Sequence, residues 1–226
     1  VQGMLAQNII ADEENIENDH VAFRTLGVSH LGIASFEKIF LHYGYTKMDR
    51  YFFEKKKLDA FWYAPPSPTF PRVFISELRV ADLSPKAQEI IFKYTQPIIS
   101  DPVDALDLDD PKAVGEFFHQ PLWDLPTVED YETLAKESEY AAWVIYNRYY
   151  LNHYTISVHS LKKYNTLELF NVFLEKLGVR LNTAGGKIKV SKDGLLRQSS
   201  SVAHLLSAEF SGGEKREIPG SYVEFA

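Results

Sequence analysis

The spacing of hydrophobic positions changes twice along the first third of the chain. Asp19–Gly27 alternates with the two-residue period of a half-buried strand, and Ser35–Tyr43 has the three- and four-residue spacing of an amphipathic helix. Alternation then returns in Arg50–Glu54, Leu58–Tyr63 and Arg72–Val80. These periods predict a module with the order β-α-β-β-β.

The same order of elements recurs near the end of the chain. Asn152–Val158 is predicted to form a strand and Thr166–Leu177 a helix, and each module begins with a strand that carries a histidine. The other predicted strands are Lys187–Ser191 and Leu195–Ser200, paired around Lys192-Asp193-Gly194, and Ser221–Ala226, which follows a long connection containing Gly212-Gly213. Few residues are identical, so the repeat is one of order and spacing.

Helical patterns fill the segment between the modules. Ser84-Pro85 is predicted to begin a helix that ends near Thr95, because serine caps helices and proline fits their first turn. Thr127–Tyr150 is predicted to form one long helix whose aromatic residues pack between the modules, and residues 1–18 an acidic helix. We expect one integrated α+β domain with three parts: residues 1–80 (N-terminal helix and first module), 81–151 (helical insertion) and 152–226 (second module).

Composition narrows the class of protein. The 226 residues carry a net charge of -7, and the short basic run Lys55–Lys57 fits a solvated hairpin tip better than a nucleic-acid site. Without cysteine there are no disulfides, thiolate metal sites or cysteine nucleophiles. No segment has the length and apolarity of a transmembrane helix or a signal peptide. We expect a globular protein without nucleic-acid or membrane partners, and the start at Val1 suggests a processed or trimmed form.

Two histidines occupy equivalent places in the two modules. If the modules close their sheets around a common half-barrel cavity, His20 and His153 on the first strands would meet Glu224 on the last strand. Two imidazoles and one carboxylate bind Fe(II) and leave three coordination positions open for a chelating substrate and dioxygen. The sequence therefore predicts a metal site of His20, His153 and Glu224.

Two further residues are alternatives for this site. Glu77 lies in the last strand of the first module and is a rival carboxylate or a fourth ligand, although an ion pair with Arg79 or Arg24 is the preferred interpretation. His159 is the rival to His153, because both are expected on the same face of one strand.

Substrate contacts are expected beside the proposed ligands. Arg24 shares a strand face with His20, and its guanidinium could hold the far carboxylate of a dicarboxylic substrate; a structural ion pair is the alternative. Ser199, in the polar run Gln198–Ser201, could bind substrate oxygens, although a turn or a helix cap is the simpler interpretation. His20 and His153 are also expected to lie against the substrate.

The chain resembles the 2-oxoadipate dioxygenase/decarboxylase family, also called hydroxyglutarate synthase. The similarity covers nearly the whole chain and is greatest to plant members of the floury-endosperm type. It is carried by three stretches: Asn18-Asp19-His20-Val21-Ala22-Phe23-Arg24-Thr25, Asn152-His153-Tyr154-Thr155 and Pro219-Gly220-Ser221-Tyr222-Val223-Glu224-Phe225-Ala226.

This resemblance implies a vicinal-oxygen-chelate fold and a non-haem Fe(II) centre. It also implies conversion of 2-oxoadipate and O2 to 2-hydroxyglutarate and CO2, a step of lysine breakdown, in a chloroplast or amyloplast. The metal ligands of the family fall on His20, His153 and Glu224, and its substrate-binding arginine on Arg24. Family chains continue beyond the strand with the carboxylate and use that continuation in the pocket. We therefore expect a missing tail or an incomplete pocket where the sequence stops at Ala226.

Two other functions fit the same residues. A metal-dependent isomerase or lyase of this fold would use Zn(II) or Mn(II) and would act without oxygen. A non-catalytic scaffold that kept the fold and helps to organise starch synthesis would bind no metal. The fold does not decide between these functions, because related folds serve many chemistries.

Overall fold

The computed structural model describes residues 16–191, 194 and 196–226. Its strands are β1 (Asn18–Leu26), β2 (Thr46–Phe53), β3 (Leu58–Ala64), β4 (Arg72–Leu78), β5 (His153–Ile156), β6 (Lys189–Val190), β7 (Arg197–Ser200), β8 (Leu205–Glu209), β9 (Lys215–Pro219) and β10 (Tyr222–Phe225). Its α-helices are α1 (Ile33–His42), α2 (Pro85–Thr95), α3 (Pro111–Phe117), α4 (Val128–Glu137), α5 (Glu139–Asn147) and α6 (Leu167–Lys176). Most of the helix expected over residues 1–18, and the centre of the turn expected at residues 192–194, lie outside the described residues.

Eight of the described strands form one continuous sheet, in the order β2-β3-β4-β1-β5-β10-β7-β6. The antiparallel pair of β1 and β5, the first strands of the two modules, lies at its centre. On each side of this pair comes the last strand of the same module, running parallel to the first strand, and then an antiparallel hairpin. Each half of the sheet therefore has the same strand order, which confirms the predicted α+β architecture of two βαβββ modules.

One helix covers the same face of each half-sheet. Apolar residues recur every three or four positions in α1 and α6 and are buried. The ring of Phe36 in α1 lies 5.0 Å from that of Phe23 in β1, and the ring of Phe170 in α6 lies 5.2 Å from that of Phe225 in β10. Because side chains alternate along a strand, the residues next to Phe23 and Phe225 point away from the helices.

Helix α1 begins two residues earlier than predicted, because a distant carboxylate caps it. Glu77 of β4 accepts a hydrogen bond from the backbone N–H of Ile33 at 2.7 Å. A Cβ at Gly32, the N-cap, would overlap the Glu77 carboxylate, so this close approach requires glycine. Ser35, at which the helix was predicted to begin, donates to Asp101 at 2.6 Å.

The segment between the modules contains α2–α5, and one expectation there is wrong. Ser84 caps α2 as predicted, accepting from the backbone N–H of Ala87 at 3.2 Å. The long helix expected over Thr127–Tyr150 is interrupted at Ser138, which has extended backbone angles. The Ser138 side chain accepts from the backbone N–H of Ala141 and starts α5, since serine competes well for the first free donors of a helix.

The long connection expected before the last strand contains a second, two-stranded sheet. Strands β8 and β9 pair antiparallel, and the turn contains Gly212 and Gly213, both with positive φ. Phe210 is buried beside the turn, with its ring 5.3 Å from that of Tyr131 and 5.0 Å from that of Tyr146. The hairpin therefore packs on the inserted helices α4 and α5.

Candidate metal centre

The three predicted ligands come from adjacent strands at the centre of the eight-stranded sheet. His20 lies on β1, His153 on β5 and Glu224 on β10. His20 and Glu224 are both registered with Thr155 of β5, one from each side, and Ala22 is registered with His153. Register and alternation together place all three side chains on the face opposite α1 and α6.

The donor atoms of these residues converge. The Nε2 atom of His153 lies 3.6 Å from Oε2 of Glu224, and Nε2 of His20 lies 3.9 Å from the same oxygen. One donor atom from each residue can be chosen so that all lie within 4.8 Å of one another. The two imidazole rings meet edge to face with centroids 5.6 Å apart. A cation between these atoms would be held from three strands at once.

The other nitrogen of each imidazole is bound by the residue just before it in the chain. Nδ1 of His20 lies 2.9 Å from Oδ2 of Asp19, and Nδ1 of His153 lies 3.0 Å from Oδ1 of Asn152. Because these oxygens accept, each Nδ1 carries a proton, and Nε2 is the ring nitrogen left to bind a metal. The hydroxyl oxygen of Thr155 lies 3.1 Å from Nε2 of His20.

Burial sets the charge state of the cluster. Desolvation, together with the charges of His20 and Arg24, lowers the pKa of His153 to about 3, so this imidazole is neutral at physiological pH. Desolvation also raises the pKa of Glu224, against the nearby charge of His20. A buried carboxylate is costly unless a cation neutralises it.

The residues present fit a divalent transition metal. Two imidazole nitrogens and one carboxylate oxygen face one point, and each imidazole is held through its other nitrogen. This donor set suits non-haem Fe(II), although Zn(II) and Mn(II) accept similar donors. The geometry therefore supports a metal site, while the choice of metal depends on function.

Arg24 lies on the same strand face as His20, against the inserted helix α5. Its guanidinium carbon lies 4.9 Å from the ring centroid of Tyr140 and 5.3 Å from that of Trp143. The Tyr140 hydroxyl bonds both backbones: it accepts from the N–H of Thr25 in β1 at 3.1 Å and donates to the Ser76 carbonyl of β4 at 2.9 Å. Two of the aromatic residues expected to pack between the modules therefore also hold the guanidinium of Arg24.

Tyr222 lies beside His153 and Glu224 and was not predicted as a site residue. Its ring stacks on that of His153, with centroids 4.7 Å apart and an angle of 27°. Burial, with the charge of Glu224, raises the pKa of Tyr222, and the charge of Arg24 opposes that rise. The signal for Tyr222 in the sequence was its two-residue spacing from Glu224, which places both on one strand face.

Two sequence candidates, Ser199 and His159, lie away from the three ligands. Ser199 is registered with Phe225 and donates to Asn171 of α6 at 2.7 Å, on the face of the sheet that α1 and α6 cover. This corrects the expected role of Ser199; Ser200, which is registered with Glu224, is the serine of that run on the site face. His159 is exposed and lies beyond the end of β5 at Ile156, so it does not share a strand face with His153.

Glu77 also lies away from the cluster. It is registered with Thr25 and points to the face of the sheet that α1 and α6 cover, where it caps α1. The preferred ion pair of Glu77 with Arg79 or Arg24 is therefore corrected, since Arg79 contacts Asp82 at 2.6 Å and Arg24 stacks on α5. By register, the residue of β4 equivalent to Glu224 is Phe74.

Comparisons with known proteins agree on one family. A family model described as 2-oxoadipate dioxygenase/decarboxylase matches residues 2–226. The chain is 44% identical to the chloroplastic 2-oxoadipate dioxygenase/decarboxylase of Arabidopsis thaliana, over 95% of this chain and 59% of that protein. The chain thus spans about 59% of the length of this curated relative.

Solved structures show the same similarity. The crystal structure of hydroxyglutarate synthase from Oryza sativa in complex with 2-oxoadipate matches with a TM-score of 0.88 and 39% identity, over 99% of this chain and 73% of that one. A protein of Ralstonia eutropha described as glyoxalase-superfamily matches with a TM-score of 0.73 and 22% identity, over 93% of this chain and 71% of that one. The second similarity supports the fold alone, a vicinal-oxygen-chelate-like arrangement of two βαβββ modules. None of the helices in the described residues has the length and apolarity to cross a lipid bilayer.

Proposed function

The chain belongs to the 2-oxoadipate dioxygenase/decarboxylase family, and we propose that it is the catalytic part of an enzyme that converts 2-oxoadipate and O2 to 2-hydroxyglutarate and CO2. The observation that carries this proposal is the convergence of His20, His153 and Glu224 at the centre of the sheet. The reaction balances without another reactant, because CO2 carries the two oxygens of the original C1 carboxylate. One oxygen atom of O2 enters the new carboxylate formed at the former 2-oxo carbon, and the other becomes the new hydroxyl group.

His20, His153 and Glu224 would hold Fe(II), which when bound supplies coordination positions for a 2-oxo acid and for dioxygen. The protein's own part is to present two imidazole Nε2 atoms and one carboxylate oxygen without rearrangement. Asp19 and Asn152 keep the protons on the Nδ1 atoms, so that both Nε2 lone pairs face the metal position.

Arg24 would bind the far carboxylate of the substrate. Its guanidinium is held over the rings of Tyr140 and Trp143, which restrict its position without using its hydrogen-bond donors. A planar guanidinium binds a carboxylate through two parallel hydrogen bonds. The metal and Arg24 would thus fix opposite ends of a dicarboxylic acid, and the aromatic side chains would exclude water from one side.

Oxygen uptake tests this proposal. Protein stripped with a chelator and reloaded with Fe(II) under nitrogen is expected to consume O2 with 2-oxoadipate and to release 2-hydroxyglutarate and CO2 in equal amounts. His20→Ala, His153→Ala and Glu224→Ala are expected to abolish this activity. His119→Ala is the matched control, because His119 is exposed and its imidazole lies 3.0 Å from the Gly115 carbonyl of α3, away from the three ligands.

Two results would contradict it. Equal turnover by the wild type and His20→Ala would remove the metal site from the reaction. Turnover of a 2-oxo acid under nitrogen with Zn(II) or Mn(II), and none with Fe(II) and O2, would instead identify a metal-dependent isomerase or lyase.

The name of the Arabidopsis relative includes the word chloroplastic. We propose by analogy that the full-length protein acts in a plastid and contributes there to lysine breakdown, with any effect on starch arising from that role. Import of a fluorescent fusion of the full-length precursor into plastids, and accumulation of 2-oxoadipate in plants lacking the gene, are the expected results.

A further inference from the structure

Each proposed ligand histidine is supported by the residue immediately before it. Neighbouring residues of a regular strand point to opposite faces, so Asp19 would normally be unable to reach Nδ1 of His20. The pairing of β1 with β5 shifts register between Asn18 and His20, as in a β-bulge. A bulge re-aims a side chain, which explains how Asp19 comes within 2.9 Å of Nδ1.

The second module reaches the same arrangement in another way. Asn152 precedes the first residue of β5, so its side chain is not fixed to the alternation of a strand. Its backbone N–H donates to the Ala22 carbonyl at 3.0 Å, and its carbonyl accepts from Tyr222 at 3.2 Å. These bonds hold Asn152 between the central strands while its side-chain oxygen lies 3.0 Å from Nδ1 of His153.

The two supporting residues differ in charge, and their surroundings explain why. Asp19 is partly exposed, and Arg72 of β4 donates to its other oxygen at 2.9 Å, so a carboxylate is neutralised there. Asn152 is buried, and its Nδ2 atom has no hydrogen-bond partner among the described residues. A carboxylate in place of Asn152 would be buried without a cation, which is costly. An amide supplies the same acceptor without that charge.

We propose that Asp19 and Asn152 are positioning residues that fix the tautomer and rotation of the two ligand histidines, and that Asp19 makes His20 the stronger metal donor. The inference deepens the proposed function, because it assumes that the metal binds through both Nε2 atoms. A carboxylate partner on Nδ1 increases the basicity of the opposite nitrogen, whereas a neutral amide mainly orients the ring. The repeat thus supplies two similar donors of unequal strength.

Nitrogen NMR of the chelator-treated wild-type protein tests the proposed tautomers of His20 and His153, and it needs no variant. Both histidines are expected in the Nδ1–H tautomer. An Nε2–H tautomer at either ring would overturn the positioning role. This measurement is independent of catalysis: the expected tautomers in a protein that does not consume O2 with 2-oxoadipate would uphold the inference and contradict the proposed function.

Metal titration tests whether Asp19 and Asn152 contribute to metal affinity, and whether the charge of Asp19 makes His20 the stronger donor. Asp19→Ala and Asn152→Ala are expected to weaken Mn(II) binding by about 10- to 100-fold, the usual loss for partners of ligand histidines. Asp19→Asn keeps an acceptor without the charge and is expected to lose affinity, but less than Asp19→Ala. Asp82→Asn is the matched control, since it removes the ion pair with Arg79 without touching a histidine.

The titration also has outcomes that overturn the inference. Affinity within twofold of wild type for both alanine variants would show that neither residue positions a ligand. Wild-type affinity for Asp19→Asn would show that the charge of Asp19 does not strengthen His20. Circular dichroism of each variant is expected to match the wild type, and Asp19→Asn keeps the test valid if Asp19→Ala fails to fold.

Discussion

The two halves of the central sheet share one strand order but place different chemistry around their histidines. Four positions after the histidine, the first module has Arg24 and the second has Ser157. On the neighbouring last strand, Phe74 of the first module occupies the register position that Glu224 has in the second. The repeat gives the two halves the same strand arrangement. Because the modules carry different residues at equivalent positions, they form one asymmetric site with a carboxylate on one side and a guanidinium on the other.

Replacement of Glu224 is expected to have the largest effect on this asymmetry. Glu224→Gln removes the only anionic donor of the cluster, so Mn(II) binding is expected to become undetectable by calorimetry. The metal-free variant is expected to be as stable as the wild type or more stable by about 1 kcal/mol, because the costly buried charge is gone. Glu77→Gln, in the other module, is the control and is expected to bind Mn(II) normally.

The assignment of Glu224 as the metal ligand would be contradicted if Glu77→Gln lost Mn(II) binding and Glu224→Gln retained it. That result would mean that the carboxylate of the first module is the ligand, in spite of its position on the helix side of the sheet.

Loss of Arg24 is expected to have the next largest effect, on substrate and not on metal. Arg24→Met should raise KM for 2-oxoadipate by about 100-fold, corresponding to a lost hydrogen bond between charged groups. A substrate that lacks the far carboxylate, 2-oxohexanoate, should show little change in its KM. Ser157→Ala, at the equivalent position of the second module, should leave both KM values nearly unchanged. An equal rise of KM for both acids would argue against a carboxylate clamp.

Tyr222 offers a smaller test of the same side of the site. Tyr222→Phe keeps the ring that stacks on His153 and removes the hydroxyl beside Arg24 and Glu224. We expect Mn(II) affinity to stay within about threefold of wild type and KM for 2-oxoadipate to rise about fivefold, as for one ordinary hydrogen bond. A loss of metal affinity larger than the change in KM would assign the hydroxyl to the metal site instead.

The smallest expected effect concerns the pH dependence of stability. Burial raises the pKa of Glu77, and the hydrogen bond from Ile33 opposes that rise. At pH values between the pKa of Glu77 in the unfolded chain and its higher pKa in the folded protein, the folded protein binds more protons. The stabilisation from this group is therefore complete below the unfolded pKa and is lost as the pH rises through the folded pKa.

Glu77→Gln removes that titration. Relative to wild type, the variant is therefore expected to gain stability as pH rises from 4 to 7, by no more than about 1 kcal/mol because the group is partly exposed. Urea unfolding at several pH values measures the difference. A relative stability of the variant that falls as pH rises would contradict the raised pKa of Glu77.

Much of this arrangement could be predicted from local patterns. Alternation marked β1, and helical spacing marked α1 and α6, because each of these elements buries one face against its own module. The repeat made the pairing of His20 with His153 foreseeable, since equivalent strands meet at the centre of such a sheet. Serine and proline marked the start of α2 for a purely local reason, the free N–H groups of its first turn.

Other features depended on contacts between distant residues. Ser138 lies within an uninterrupted helical pattern, and its break became visible only from the cap that it forms. The hairpin of β8 and β9 is short, and it is stabilised by Phe210 packing on Tyr131 and Tyr146 of the insertion. Such elements form because a partner surface exists, and the sequence pattern of the element alone does not contain that partner.

Periodicity along the chain was enough to predict the two modules, the histidine at the start of each, and the residue types of a site with two histidines and one carboxylate. The folded sheet was needed to show that Glu224 faces the histidines while Glu77 caps a helix on the other side of the sheet. The physical reason is register: a shift of one residue turns a side chain to the opposite face, and register is set by pairing between strands far apart in the chain.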